Sequence, residues 1–397
     1  MNIAVLTVAY SPLKSSAAIQ MKAIAEAFAR AGHQPYVFFP DSTIFEDYKI
    51  EIENGVVILR FKCPESRDKN YVIRTINEFV MPYLIWRKFL KYQARTLKIE
   101  FIVCYSPSIF FGPLVRRLKA KYNCRAYLIL RDIFPAWAVD LNLIKRDGVI
   151  HRIFSFVEKE LYRLFEVIGV QSEGNLTYFE NRKKFQQKKI EVLNNWYSPL
   201  PYTPCSIDIK STKLRGKNIF IYAGNLGVAQ SPETLLTLMV AFRDNKTVGF
   251  VFVGRGSEFT SLIEKANKLK LDNVLFYPEI PPEEIAALYD QCDIGLICLD
   301  ARHQTQNIPG KFVSYMHSGL PVLAMVNPGN DLFDLITTRN VGIAIEAGTE
   351  KYLRFEGERA LKLLSDKFLS ARCKKLANDK FSSENAVKQI MDSLVDK

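Results

Sequence analysis

The sequence predicts an α/β protein made of two doubly wound, parallel-sheet domains. Three observations carry that prediction. Short apolar runs, suited to strands buried on both faces, alternate with amphipathic helical stretches along the chain. A proline-rich segment, SPLPYTPCSIDIK, interrupts the alternation near residues 198–212, and the pattern then restarts. The length of 397 residues allows two such domains. The expected division is 1–200 and 201–380.

Ile3 to Val8 is a continuous apolar run and reads as the first strand. The loop Ala9 to Ser16 leads into a helix carrying Ile19, Ala23 and Phe28 on one face. Gly32 ends that helix, and Tyr36 to Phe39 forms the next strand. This is a βαβ unit, which requires a parallel sheet. Further strands are expected at Val56–Phe61, Phe101–Tyr105, Ala126–Leu130 and Val167–Gln171. Ligands in open α/β sheets gather beyond the carboxyl ends of strands. Arg131 and Asp132 lie just past one such end, and Ser172, Glu173 and Asn175 are expected to project from another.

In the second half, strands are expected at Ile219–Ala223, Val248–Val253, Val274–Tyr277, Ile294–Leu299 and Val322–Val326. Ser231 suits a helix N-cap and Pro232 a first helical residue. No solenoid-period repeat or low-complexity tract is present.

Apolar residues make up 48% and charged residues 24%, as in globular proteins with large cores. No apolar run approaches the roughly 20 residues of a membrane-spanning helix. The start, MNIAVLTVAY, reads as a strand, so no signal peptide is expected. Seven cysteines are scattered without CxxC pairs, which fits reduced thiols in the cytoplasm. The four histidines form no ligand spacing, so no metal and no cofactor is expected.

The formal charge of +12 is unevenly placed. Residues 1–200 carry 30 Lys and Arg against 19 Asp and Glu, whereas 201–397 carry 24 against 23. The first half therefore calls for an anionic partner. Residues Arg67 to Lys98 hold eight Lys and Arg against two acids, interleaved with aromatic and aliphatic residues. That is the composition of an interfacial helix at an anionic membrane surface, and equally of surface helices packing aromatics on a sheet. A second basic run spans Arg182 to Lys189. No nucleic-acid-binding motif accompanies the charge, so no nucleic-acid partner is expected.

The stretch TQNIPGKFVSYMHSGLPVLA, 305–324, holds the densest chemistry. Pro309 and Gly310 make a sharp entry to a helix, Gly lets backbone approach a ligand, and Lys311 adds a cation beside the first-turn amides. An ordinary loop-to-helix junction would share these features. Two glycine turns, Gly224-Asn225-Leu226-Gly227 and Gly254-Arg255-Gly256, follow strands in the same half. Three ligand-approach loops on one sheet edge point to a nucleoside diphosphate.

The segments YAGNLG with SPETLL, FVGRGSE, NVLFYPEIPPEEIAALYDQCDIGLICL and IPGKFVSYMHSGLPVLA, in this order, resemble the C-terminal half of retaining glycosyltransferases of family 4. MNIAVLTVAYSP with AIAEAFARAGH resembles the opening of the same family. LRDIFPAWAVD and LNNW are similar to its bacterial N-acetyl-L-fucosaminyltransferase-like subgroup, which builds surface polysaccharides.

The resemblance implies a GT-B fold, with two Rossmann-like domains facing a central cleft and a last helix, 381–397, packing back on the first domain. It implies a UDP-sugar donor, with N-acetyl-fucosamine or a related N-acetylhexosamine as the sugar. The implied acceptor is a polyprenyl-diphosphate-linked glycan, and the implied location is the cytoplasmic face of the plasma membrane. Lys311 and Arg255 would neutralise the diphosphate beside Pro309 and Gly310, in place of a metal. Gly224, Asn225, Gly227 and Gly254 would line the donor, and Glu279 and Ile280 would hold the base through their backbone. Ser15 and Ser16 stand where the family often has glycines. Asp132 would lie near the transferred sugar or the acceptor hydroxyl. The family's two glutamates fall at Gln306 and Ser314 here, so the usual ribose contact is altered. A GT-B-like epimerase and a non-catalytic membrane adapter are the alternatives.

Overall fold

A computed structural model of the chain describes residues 1–13, 15–66, 69–92, 97–106, 108–140, 143–180, 188–198, 200–300, 308–346 and 349–395. In order come β1 (Asn2–Leu6), α1 (Ser16–Arg30), β2 (Gln34–Asp41), β3 (Tyr48–Glu53), β4 (Val56–Lys62), α2 (Tyr71–Lys91) and β5 (Phe101–Ser106). Then follow α3 (Gly112–Tyr122), β6 (Arg125–Leu130), α4 (Ala136–Asp140), α5 (Val149–Arg163), β7 (Val167–Val170), α6 (Thr177–Glu180) and β8 (Lys189–Val192). The alternation resumes with β9 (Asn218–Asn225), α7 (Pro232–Ala241), β10 (Val248–Arg255), α8 (Phe259–Lys268), β11 (Val274–Pro278), α9 (Ile285–Tyr289) and β12 (Ile294–Cys298). It closes with α10 (Gly310–Ser318), β13 (Val322–Val326), α11 (Asp331–Arg339), β14 (Gly342–Glu346), α12 (Glu350–Leu363), α13 (Leu369–Lys380) and α14 (Ser383–Val395).

The chain forms two compact units, Met1–Trp196 with Ser383–Lys397, and Tyr197–Ser382. The division falls slightly ahead of residue 200. The segment read as a linker is instead held by the second unit, because Ile207 and Ile209 are buried in its core. Tyr197 donates its N–H to Phe381 O at 2.9 Å, so the chain enters and leaves this unit at one place.

In the first unit the strand order is β3-β4-β2-β1-β5-β6-β7-β8. All neighbours are parallel except β3, which runs antiparallel to β4. The sequence reading missed β3 and β8. For β3 a signal existed: Asn54-Gly55, both at positive φ (49° and 79°), forms the tight turn of a hairpin. One core lies between the sheet and α2, α3 and α5. The other lies on the opposite face, where Met21, Ile24 and Phe28 of α1 meet Val387, Ile390 and Leu394 of α14. Ser15 caps α1 by accepting the Ala18 N–H at 3.3 Å.

The second unit has a parallel sheet of order β11-β10-β9-β12-β13-β14, again with a core on each face. Here the reading missed β14, a short strand at the sheet edge. The basic stretch 67–98 contributes one helix, α2, running through Pro82. Lys88 is buried within it, donating to Lys62 O at 2.5 Å, so part of the expected basic surface is internal.

Candidate active site

In the second unit the strand ends converge. The pairing register sets Gly224 beside Gly254 and Gly254 beside Pro278, so the ends of β9, β10 and β11 lie side by side. A Cβ at Gly254 would come within 2.0 Å of the Gly224 carbonyl oxygen, which only glycine avoids. Gly224, at φ +131°, takes a backbone that side chains rarely adopt, and a Cβ there would face Lys311 Cε at 3.8 Å. Bare backbone therefore faces the lysine. The Tyr222 hydroxyl donates to Asn225 O at 2.7 Å, and the Gly227 N–H donates to Gln230 Oε1 at 2.8 Å, fixing the loop after β9.

Helix α10 begins at Gly310, behind an extended Pro309, and no side chain caps it. Its positive end is thus available to an anion. Lys311 Nζ sits 3.7 Å from the centre of the Tyr222 ring. No carboxylate among the described residues pairs with it, and burial pulls its pKa down to about 7. A cation kept in apolar surroundings beside a ring face, with no carboxylate partner among the described residues, is poised to gain from a bound anion.

What aims this lysine is Tyr315, one helical turn on and fully buried. Its hydroxyl accepts the Ala223 N–H at 3.2 Å and faces the carbonyls of Ile221 at 3.1 Å and Leu296 at 3.4 Å. Its ring lies against Gly295, where a Cβ would approach to 2.5 Å. Sequence reasoning missed both tyrosines. The only signal for Tyr315 was its place four residues after Lys311, on the face that must pack on the sheet.

The remaining second-unit candidates fare unevenly. Arg255, read as a diphosphate clamp, is exposed and pairs with Glu279 at 3.2 Å. Such a surface pair is weak and can be exchanged for a stronger anion. Ile280 packs on the core beneath this loop. Ser314 donates from its hydroxyl to Lys311 O at 3.0 Å, and that hydroxyl lies 3.4 Å from the Tyr289 hydroxyl. Its hydroxyl is thus engaged with its own helix. Gln306 lies outside the described residues.

In the first unit, Ser15 and Ser16 open α1 at the carboxyl end of β1, both exposed. The loop before them is held by Arg60, which donates to Ser11 O at 2.8 Å while pairing with Asp41 at 3.1 Å and Glu51 at 2.7 Å. Past β6, the Asp132 carbonyl accepts the Phe134 N–H at 3.1 Å, while its carboxylate has no hydrogen-bond or ion-pair partner among the described residues. Asp132 is exposed, yet the protein packed around its carboxyl partly desolvates it and raises its pKa, and neighbouring Arg131 partly opposes that. Two expectations need correcting here. Arg131 is a strap rather than a site residue: it donates to Leu193 O at 2.6 Å and Asn194 O at 3.2 Å, and stacks over Trp196 at 4.7 Å. Ser172 does not project, being buried and donating to Asn175 Oδ1 at 3.3 Å.

Known proteins are similar to this chain in sequence and in fold. Residues 206–378 match the family described as Glycosyl transferases group 1. The chain is 22% identical over 291 residues to WbjE of Pseudomonas aeruginosa, named as a glycosyltransferase, covering 71% of this chain and 70% of that protein. It is 22% identical over 340 residues to WcaI of Escherichia coli K12, covering 80% and 82%, whose name gives it as a glycosyl transferase of colanic acid biosynthesis. The fold is similar to that of Anabaena Alr3699/HepE, solved in complex with UDP, at a TM-score of 0.67, 15% identity and 99% coverage of both chains. Residues 206–378 thus match a group 1 glycosyl transferase domain, the fold is of the GT-B type, and together these support a transferase enzyme.

Proposed function

We propose that this enzyme transfers a sugar from a UDP-sugar to a polyprenyl-diphosphate-linked glycan, with retention of anomeric configuration, in the synthesis of a bacterial surface polysaccharide. The observation that carries the donor side is Lys311, a cation without an anionic partner among the described residues, at an uncapped helix start and facing the bare backbone of Gly224. The UDP complex of the HepE protein supports uridine as the base, and the name of WcaI supports polysaccharide synthesis. N-acetyl-fucosamine or a related N-acetylhexosamine is the sugar we propose.

Breaking the sugar–phosphate bond develops negative charge on the leaving diphosphate. Lys311, the start of α10 and Arg255, released from Glu279, stabilise that charge, so the transfer needs no metal. Asp132, with its raised pKa, is assigned to the acceptor hydroxyl. The basic stretch from Arg67 to Lys98 is the proposed contact with an anionic membrane surface, which puts the enzyme at the inner face of the plasma membrane.

The test is a calorimetric titration with UDP, GDP and ADP in the presence of a chelator, on wild type and Lys311→Ala. Selective UDP binding that weakens in the variant supports the reading. Equal or absent binding of the three nucleotides overturns it. Donor turnover with no lipid-linked acceptor present would point to the epimerase alternative.

A further inference from the structure

The first unit leaves two helix faces uncovered. Val72, Ile76 and Phe79 of α2 and Ile150, Ile153 and Phe156 of α5 are all more than half exposed. Spacings of three and four residues place each trio on one stripe of its helix. Other positions of the same helices, Met81, Ile85 and Phe89 on α2 and Leu161 and Tyr162 on α5, are already spent on the core. Single exposed apolar residues are ordinary, whereas two adjoining stripes are not.

Between the stripes runs a groove of about 430 Å³, lined by Phe79, Tyr83, Phe110 and Phe156. Its volume is that of a small-molecule site, which typically spans about 300–1,000 Å³. Arg116 and Arg117 also line it. Arg117 lies 4.9 Å over the Tyr83 ring, and Arg116 reaches Glu160 at 3.3 Å from an exposed position. Arg74, Arg87 and Arg152 are exposed on the same two helices. Among the described residues no helix is long and apolar enough to cross a membrane.

We propose that the outer faces of α2 and α5 are a lipid-docking surface: the stripes enter an anionic bilayer leaflet, and one lipid hydrocarbon chain fills the groove with its phosphate against Arg116 and Arg117. Apolar stripes framed by arginines match a layer that is anionic outside and hydrocarbon within, and the excess of positive charge in residues 1–200 matches it over a longer range. The inference rests on the proposed membrane location and goes beyond it. It moves the contact from the basic stretch 67–98 alone to a composite of α2, α5 and the groove.

The experiment is flotation of the whole chain with vesicles of equal phosphatidylglycerol and phosphatidylcholine, and with phosphatidylcholine alone, beside a UDP titration on the same preparation. Wild type floats with the anionic vesicles and not with the neutral ones. The Ile150→Asp/Ile153→Asp pair loses about tenfold or more of that binding, while its melting temperature and UDP affinity stay at wild-type values. A serine pair at these positions repeats the loss without adding charge. For the groove, dodecyl phosphate below its micelle concentration binds wild type, Phe156→Asp abolishes this, and inorganic phosphate does not bind. Flotation that survives both pairs, or that ignores lipid charge, overturns the docking surface. Failure of dodecyl phosphate to bind overturns the groove. Loss of UDP binding alone strikes the donor assignment and leaves this surface standing.

Discussion

Lys311 concentrates the chemistry of the second unit in one side chain. With its folded pKa near 7 and an ordinary lysine value when unfolded, the unfolded chain holds a proton that the folded chain lacks between those values. Folding is therefore penalised, and the penalty shrinks as pH rises from 7 towards 10. Lys311→Met should be more stable than wild type at pH 7, and urea midpoints should show the gap narrowing by pH 9. Binding a diphosphate reverses the balance, because the anion favours the charged lysine. At pH 8 UDP binding should take up a proton, read by calorimetry in buffers of different ionisation enthalpy, and Lys311→Met should abolish the uptake while weakening UDP about ten- to a hundredfold. Lys311 and its glycine neighbours were legible in the sequence, since Pro-Gly-Lys at a helix start has a local physical meaning. Tyr222 was not legible, because a tyrosine in a strand reads as core until the lysine is seen above its ring.

At the scale of elements, two devices hold the loops. Helix α10 is seated by the Tyr315 hydroxyl on the backbone of β9 and β12. Tyr315→Phe removes that seat and leaves buried polar groups short of a partner, so it should cost about 1–3 kcal/mol in denaturant unfolding and weaken UDP binding severalfold. The loop after β1 is held by Arg60. At Asp41, burial works to raise the pKa, but hydrogen bonds from Thr43 and Arg60 outweigh it and hold the carboxyl below the usual range. The stability this contributes is present above the ordinary carboxylate pKa and is lost as pH falls below it. Arg60→Met strands the Asp41 charge in a buried site and should cost about 3–5 kcal/mol at pH 7, with the cost falling in acid, measured by urea melts of the first unit. Neither device was legible, because Arg60 meets Asp41 and Ser11 only across strands distant in sequence.

Over the whole molecule, the chain leaves the first unit at Trp196 and returns to it at Ser383. Val387, Ile390 and Leu394 of α14 are buried against the sheet and α1. Each such side chain contributes about 1.5–3 kcal/mol when buried. Deleting 383–395 should therefore lower the melting transition of the first unit, while the second unit keeps its transition and its UDP affinity, as scanning calorimetry with and without UDP would show. Sequence by itself determined the α/β class, the restart of the pattern in the second half, and most buried parallel strands, because apolar runs and glycine or proline punctuation act over a few residues. It also determined the Pro-Gly-Lys start of α10. Tertiary structure alone decided the edge strands β8 and β14, the internal role of Lys88 and the strap role of Arg131. It alone decided the alignment of Gly224, Gly254 and Pro278, with Gly224 facing Lys311. These depend on register and burial between segments far apart in the chain, and no local pattern encodes which charge will find a partner and which will be left waiting for one.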